Sequence, residues 1–478
     1  MCDKTVAVFD IGKTRSRLVV LANDGSTAYA AERASTSLTS GPYQHLDTDA
    51  TWLWMLQSLR DSGFAASVSD CVVVTHGAAF ALLADGELAV PVMDYEYTGF
   101  ESLNTTYDRQ RDSFDATYSP RLAAGLNAGR QIFYIQQTLP SEFARVSAIV
   151  PYPQYWAARL CGVLASEATS LGCHTDLWRP VDRQFSSLVA DQGWRDLMPP
   201  QRSAWEVLGT VLPNVARPTG LNPGCRIHCG IHDSNASYLQ HLRGENDRFC
   251  VVSTGTWVVC MAGGHEIDNL DEDRDMLANV DVFANPVPCA RFMGGREFAL
   301  ILGDVESMDD PNLDHARDVM THGSMALPSF ADGGGPYPGT RGDIINPPKT
   351  TTGRRAMASL YCALMTDACL DALDASGDLI IEGRFIRDSL FIEALAHFRR
   401  HQVLRISDDS AGTIGGAKRL IDWPKESPAL PPVYTTAEPS FIYRQYRDRW
   451  RKALKQYSAN EKVRIVLDGL RGEDSFSG

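Results

Sequence analysis

The 478-residue chain is short of several things, and each shortage narrows what it does. No stretch reaches the roughly 18 uninterrupted apolar residues that a membrane span needs. The opening MCDKTVAVFDIG has no basic segment leading into an apolar one, so the expected address is the cytoplasm. Positive charge is in deficit. A net charge of -14 disfavours broad contact with nucleic acid or an anionic membrane, because such surfaces repel a net anion. The 11 cysteines are odd in number and follow no framework spacing, which suits a reducing compartment better than a set of disulfides. Cys225, His228, Cys229 and His232 crowd one segment, but no second Cys/His pair stands at finger-like distance, and strand alternation throws neighbours onto opposite faces. Zinc is set aside on those grounds. A P-loop is also missing: Gly12-Lys13-Thr14 resembles the end of one, yet Ala7 stands where the first glycine is required.

What is present is ordinary globular material, 44% hydrophobic and 22% charged, in a chain long enough for two or three domains. Thr5 to Asp10 and Arg17 to Ala22 read as strands around a turn at Gly12 to Ser16, with a third strand at Thr27 to Arg33. Phe249 to Val252 and Trp257 to Met261 repeat the pattern around Ser253 to Thr256, a weak internal duplication. Between and after these pairs, strands such as Cys71 to Thr75, Arg226 to Gly230 and Asp378 to Glu382 alternate with helical patterns such as Met357 to Leu373 and Leu390 to Arg400. Such alternation signals an α/β layer structure. A hinge is expected near 235–247. The glycines of DGGGPYPG, Gly333 to Gly339, read as a plain loop, because no strand and helix flank them closely. In FIYRQYRDRWRKALKQY, Phe441, Tyr446, Trp450, Ala453 and Tyr457 share one helical face, so a packed helix with a solvated basic side is expected.

Three segments carry candidate chemistry. In VAVFDIGKTRSRLVV the turn between strands aims backbone N–H groups at one point, Thr14 adds a hydroxyl, and Asp10 faces the same point, where it could hold Mg²⁺ directly or through water. In VVSTGTWVVC, Ser253, Thr254 and Thr256 surround Gly255 in a second such turn, and two turns could clamp a triphosphate from opposite sides. In CGIHDSNASYLQ a strand ends at Gly230 and Asp233 opens a segment of helical character, where a carboxylate could accept the proton of a substrate hydroxyl. Taken alone, Asp10 reads as a turn residue and Asp233 as a helix N-cap.

Taken together, the segments resemble the FGGY carbohydrate kinases of the actin-like ATPase superfamily. The pattern D-x-G-x-T-x-x-[KR] is matched by Asp10, Gly12, Thr14 and Arg17, G-x-x-D-x-x-A by Gly230, Asp233 and Ala236, and the T-G-T turn by Thr254, Gly255 and Thr256. The resemblance implies an α/β fold of two actin-like (ribonuclease H-like) ATPase domains with a catalytic cleft between them. Residues 1–240 would bind sugar and supply the catalytic Asp233, and residues 241–478 would bind nucleotide. It implies ATP and Mg²⁺ as cofactors, with Gly12, Lys13, Thr14, Arg17, Ser253, Thr254, Gly255, Thr256, Gly383 and Arg384 at the nucleotide and Asp10 at the metal. Lys13 stands where threonine is commoner, and DSAGTIGGA, Asp409 to Ala417, resembles a small-residue helix start beyond the adenosine region. THGAA and PVMDYEY resemble the loops lining the acceptor pocket, which makes His76, Gly77, Asp94, Glu96 and His232 candidate sugar contacts beside Asp233. YPQYWAARLCGVLASEATSLGCHTDLW resembles the branch acting on deoxyketoses such as L-fuculose and L-rhamnulose, adding Gln154 and Tyr155. Kinases for xylulose, ribulose or glycerol, and a non-catalytic actin-like protein that binds ATP or sugar, remain the alternatives. The partners implied are a small sugar and ATP, not nucleic acid or membrane, with a homodimer as the assembly to test.

Overall fold

The computed structural model describes residues 5–244, 247–303, 310–331, 334–407, 412–423, 429–437 and 441–473, with side chains of the last helix followed to Tyr457. Met1 to Lys4, Asp332, Gly333 and Asp409 to Ala411 therefore lie outside the described residues.

The first half is built on a seven-stranded sheet. Its strands are β1 (Thr5–Ile11), β2 (Arg15–Leu21), β3 (Thr27–Ala34), β4 (Val68–Thr75), β5 (Val207–Thr210), β6 (Arg226–His228) and β7 (Ile231–His232). The spatial order is β5-β6-β4-β1-β2-β3, and β7 extends the pairing on β4 beyond β6. β1 and β4, apolar and β-branched, are covered on both faces, as central strands of a layered sheet must be. β3 lies at the edge and alternates exposed with half-buried residues. Outside the sheet, α1 (Thr48–Asp61) is capped by the Asp47 side chain accepting from Ala50 N, and α2 (Tyr152–Cys161) packs against β4. A smaller sheet pairs Phe80–Ala84 with Ala148–Pro151 and holds up the loops that follow β4.

The second half repeats the plan with β8 (Phe249–Thr254), β9 (Val258–Gly263), β10 (Met276–Val280), β11 (Pro286–Phe292), β12 (Asp378–Gly383) and β13 (Leu404–Ile406), in the order β10-β11-β9-β8-β12-β13. In each half a hairpin is followed by a strand running parallel to its first member: β1–β2 with β4, and β8–β9 with β12. The duplication seen in sequence is thus a repeat of topology. α5 (Thr351–Ala372) is buried along most of its length, rich in alanine, leucine and cysteine, and forms the centre of this half's core. The C-terminal helix docks here through Tyr446 and Trp450, with Trp450 Nε1 donating to Ala326 O at 2.8 Å, whereas Phe441, expected on the same face, is exposed at the start of the helix.

Between the two sheets lie α3 (Asp233–His241) and α7 (Gly412–Asp422), numbered with α4 (Gly294–Leu302), α6 (Ser389–Phe398) and α8 (Phe441–Glu473) in chain order. One continuous apolar cluster joins Val8 and Val72 of the first sheet to Ala236, Leu239, Ala417 and Leu420 of the helices and to Val251 and Ile380 of the second sheet. The helices touch at their backbones: a Cβ on Gly416 would stand 1.8 Å from Ala236 O, so only glycine fits there. The start of the segment expected as a hinge, residues 235–241, is helix, because its small residues let α3 lie between the layers. α7, from late in the chain, packs onto β1 and β4 of the first half. The ten described cysteines are buried and unbridged, and no helix among the described residues is long and apolar enough to cross a membrane.

Candidate active site

Register explains why the candidate residues converge. Asp10 pairs with Val74 on β4, Ile231 pairs with the same Val74 from the other side, and His232 pairs with Thr75. β1, β4 and β7 run parallel, so Asp10, His76 and Asp233 emerge at one set of carboxyl ends, where open α/β sheets place their ligands. His76 N donates to Ile11 O at 3.1 Å, closing the strand ends against each other. Asp10 is lifted to about 7 by burial first and by the charge of Asp233 second, with Arg17 opposing both. The two carboxylates thus share one field.

Asp233 opens α3, and its Oδ1 is fully engaged. It accepts from Ser234 N at 2.6 Å and Ser234 Oγ at 3.3 Å, and lies 3.1 Å from His232 Nε2. His76 is buried, its ring against Tyr95 and Tyr152, and burial lowers its pKa while the Asp233 charge works the other way. Gly77 lies against the His232 ring.

Lys13, expected at the nucleotide, turns toward Asp94. Its ammonium pairs with Asp94, lies 3.1 Å from Glu96 Oε2 and 3.2 Å from Ser37 Oγ, and stands over the Tyr95 ring. Asp94 is buried, also accepting from Ser37, from Gln44 Nε2 at 3.0 Å and from Glu96 N at 2.9 Å. Burial would raise its pKa, but Lys13 and Ser37 outweigh burial and hold it below the usual carboxylate range. Lys13 and Asp94 therefore brace the loop at Asp94 to Tyr97 against the turn after β1. Gln154 and Tyr155 are not brought to the strand ends either. Gln154 is fully buried and donates to Cys229 O and Gly230 O, and Tyr155 packs among Tyr152 and Trp156 in the first core. They lie on α2, whose apolar face is spent on β4. Glu96 is 61% exposed at its side chain and stays at the surface beside Lys13.

In the second half, the turn at Ser253 to Thr256 is closed by Gly255 N donating to Trp257 O at 2.8 Å, much as Gly12 N donates to Arg15 O at 3.0 Å in the first. Thr254 Oγ1 donates to Glu382 O at 2.6 Å and accepts from Phe385 N at 2.9 Å. That hydroxyl locks the end of β12, where Gly383 adopts φ +85° directly against Thr254 O, and Arg384 follows, exposed. Thr14, Arg17 and Thr256 are exposed.

Sequence reasoning missed two contributors. Gly295 N donates to Thr256 O at 3.1 Å, which brings the N-terminus of α4 onto the T-G-T turn; the double glycine of MGGREFA was the available signal. The DGGGPYPG loop, read as plain, supplies Gly334 and Gly335 to a cavity of about 960 Å³ bounded by Trp257, Asp275, Arg291 and the first-half loop at Arg121 to Ala123. Arg291 pairs with Asp275 at 3.1 Å and lies over the Trp257 ring. Of the residues weighed for zinc, His228 has both ring nitrogens committed, to Trp205 O at 3.0 Å and Asp70 Oδ1 at 2.8 Å.

Two topologically repeated α/β halves, joined by a buried helical layer and each opening with a hairpin turn, define a protein of the actin-like ATPase architecture. Residues 246–429 match the model for the C-terminal domain of FGGY carbohydrate kinases. The solved structure of a carbohydrate kinase from Novosphingobium aromaticivorans is 37% identical, with a TM-score of 0.87 over 95% of this chain and 99% of that one. A gluconate kinase from Lactobacillus acidophilus (12% identity, TM-score 0.80, 96% and 99% covered) and a xylulose kinase from Rhodospirillum rubrum (15%, 0.78, 96% and 100%) share the fold. No curated protein sequence matches it. The chain belongs to the FGGY carbohydrate kinases, and it is a carbohydrate kinase.

Proposed function

We propose that the enzyme transfers the γ-phosphoryl group of MgATP to a primary hydroxyl of a ketose, with deoxyketoses such as L-fuculose and L-rhamnulose the first acceptors to try. Residues 1–240 supply the acceptor side and residues 241–478 the nucleotide side. The observation that carries the reading is the state of Asp233. Its Oδ1 is occupied by Ser234 and His232, while no hydrogen bond engages Oδ2 among the described residues. That leaves one carboxylate oxygen, at the carboxyl ends of the strands, for a substrate hydroxyl.

Asp233 Oδ2 takes the hydroxyl proton as the acceptor oxygen forms its bond to the γ-phosphorus, and the bond from that phosphorus to the bridging oxygen breaks to leave ADP. Thr14, Arg17 and Thr256 present donors to the phosphates. His76 and Gly77 face the acceptor. A divalent cation fits at Asp10: a carboxylate raised to about 7 by burial and a second carboxylate, with Arg17 as counterweight, is an oxygen donor short of positive charge. When bound with ATP, Mg²⁺ would neutralise phosphate charge.

The test is Asp233→Asn. Turnover should fall about 100-fold or more with the KM for ATP nearly unchanged, and undiminished turnover would refute the assignment. A coupled ADP-release screen over L-fuculose, L-rhamnulose, both enantiomers of ribulose and xylulose, and glycerol then fixes the acceptor.

A further inference from the structure

We infer that His232 is a resident imidazolium, a positioning residue that keeps Asp233 turned toward the acceptor. The inference rests on the reading of Asp233 as the base and assigns His232 a role other than sugar contact.

The argument is one of donors and acceptors. His232 Nδ1 lies 2.5 Å from Asn235 Oδ1. The Asn235 amide cannot be turned round, because its Nδ2 donates to Asn279 Oδ1 at 3.1 Å and to the Val280 backbone carbonyl. Asn279 Oδ1 is fixed in turn by accepting from Val280 N at 2.8 Å. The group facing Nδ1 is therefore an acceptor, and Nδ1 carries a proton. Nε2 lies 3.1 Å from Asp233 Oδ1, an oxygen that also accepts from Ser234 N and that, in the carboxylate a base must present, can only accept. A bare Nε2 would set lone pair against lone pair; Nε2 carries a proton as well. Both nitrogens donate, and a ring with two N–H groups is charged.

The ring is 4% exposed, and a buried cation needs compensation. Beside it lie the carboxylate of Asp233 and the side chain of Cys173. Burial opposes the charge, but Cys173 and Asp233 outweigh it and push His232 up to about 10. Burial likewise opposes the thiolate, yet His174 and His232 pull Cys173 well below the usual thiol range. The other titratable groups around this centre are Glu167, which receives the hydroxyl proton of Thr169 where Thr169 accepts from His232 N; His76 at the end of β4; and Asp10 with Arg17 across from Asp233.

The consequence for catalysis is geometric. The imidazolium pins Oδ1, which leaves Oδ2 as the outward oxygen. Asn235 ties this arrangement to β10 of the second half, so the aim of the base is set from both halves.

The experiment records the imidazole ¹H–¹⁵N correlations of full-length histidine-labelled enzyme from pH 6 to 9, with His232→Gln identifying the resonance. Two protonated ring nitrogens throughout that range support the inference, and a single protonated nitrogen overturns it. In His232→Gln, kcat at pH 7 should fall about tenfold, equivalent to ~1.4 kcal/mol. The KM for ATP should hold, so that the loss falls on kcat alone; an unchanged kcat, or a KM for ATP that rises in its place, overturns the inference. If that variant does not fold, the wild-type spectrum still decides. Asp233→Asn separates the two readings. An active Asp233→Asn enzyme removes the base itself, whereas an inactive one combined with a singly protonated His232 removes only the present inference.

Discussion

The carboxylates of Asp10 and Asp233 lie close enough that the charge on Asp233 joins burial in lifting Asp10 to about 7. A buried carboxylate facing a second one is poorly solvated, and the cost falls on the folded protein.

That cost has a sign. Unfolded Asp10 titrates near 3.9 and folded Asp10 near 7, so the ionised carboxylate opposes folding. The penalty sets in as pH rises past about 3.9 and is complete above about 7. Asp10→Asn should therefore stabilise the free protein by about 2 kcal/mol at pH 8 while lowering turnover. Thermal melts of both proteins without ligand at pH 8 and pH 5.5 make the check: the gain is larger at pH 8, and equal gains at both would count against a raised Asp10.

Lys13 separates two roles that the sequence could not. If its ammonium braced the phosphates, Lys13→Met would raise the KM for ATP. Paired instead with Asp94 and Glu96, it should raise the KM for the sugar by about tenfold, or ~1.4 kcal/mol, and leave the KM for ATP within about twofold. Stability should also fall, because the buried Asp94 keeps only Ser37, Gln44 and a backbone N–H. Steady-state kinetics with each substrate varied in turn decide the matter.

Lys13 also shows where sequence reading stops. The hairpins, the parallel strands after them and the aromatic face of the C-terminal helix were legible because their signals are local: strand alternation, glycine turns and helical periodicity. The strand-end position of Asp10 and the helix-opening position of Asp233 followed from the same local cues, and their convergence required only that both strands flank β4. The partner of Lys13, by contrast, lies 81 positions away, and nothing in GKTR says which way the side chain turns. The return of α7 to the first sheet and the contribution of Gly334 to a cavity depend on packing between distant segments in the same way. Gln154 and Tyr155 misled because a helix face rich in aromatics looks alike whether it meets a ligand or a sheet.

The helix crossing between the layers gives a paired prediction. A Cβ at Gly416 meets the backbone carbonyl of Ala236 at 1.8 Å, whereas one at Gly415 meets the end of the Gln240 side chain at 2.1 Å. Backbone cannot step aside and a side chain can. Gly416→Ala should cost about 3 kcal/mol by forcing α3 and α7 apart, against about 1 kcal/mol for Gly415→Ala. Urea unfolding of the two variants tests the order, and equal losses would mean that the helices are not in backbone contact.

Asp70 offers a stability test away from the site. Its side chain is 3% exposed, with Arg226 at 2.7 Å and His228 at 2.8 Å both on Oδ1 and Ser69 on Oδ2. Burial pushes its pKa up, but His228 and Arg226 overcome burial and hold it well below the usual carboxylate range. A depressed folded value means that the ionised form contributes stability above about pH 3.9, and that the contribution drains away as pH falls further. Asp70→Asn should cost about 3 kcal/mol at pH 7 by stranding its partners at the β4–β6 junction, with little change in the loss down to about pH 4 and a shrinking loss below it. Denaturant unfolding across that range is the measurement. A loss that shrank already between pH 7 and 5 would show that Asp70 gives up its charge far earlier than its partners should allow.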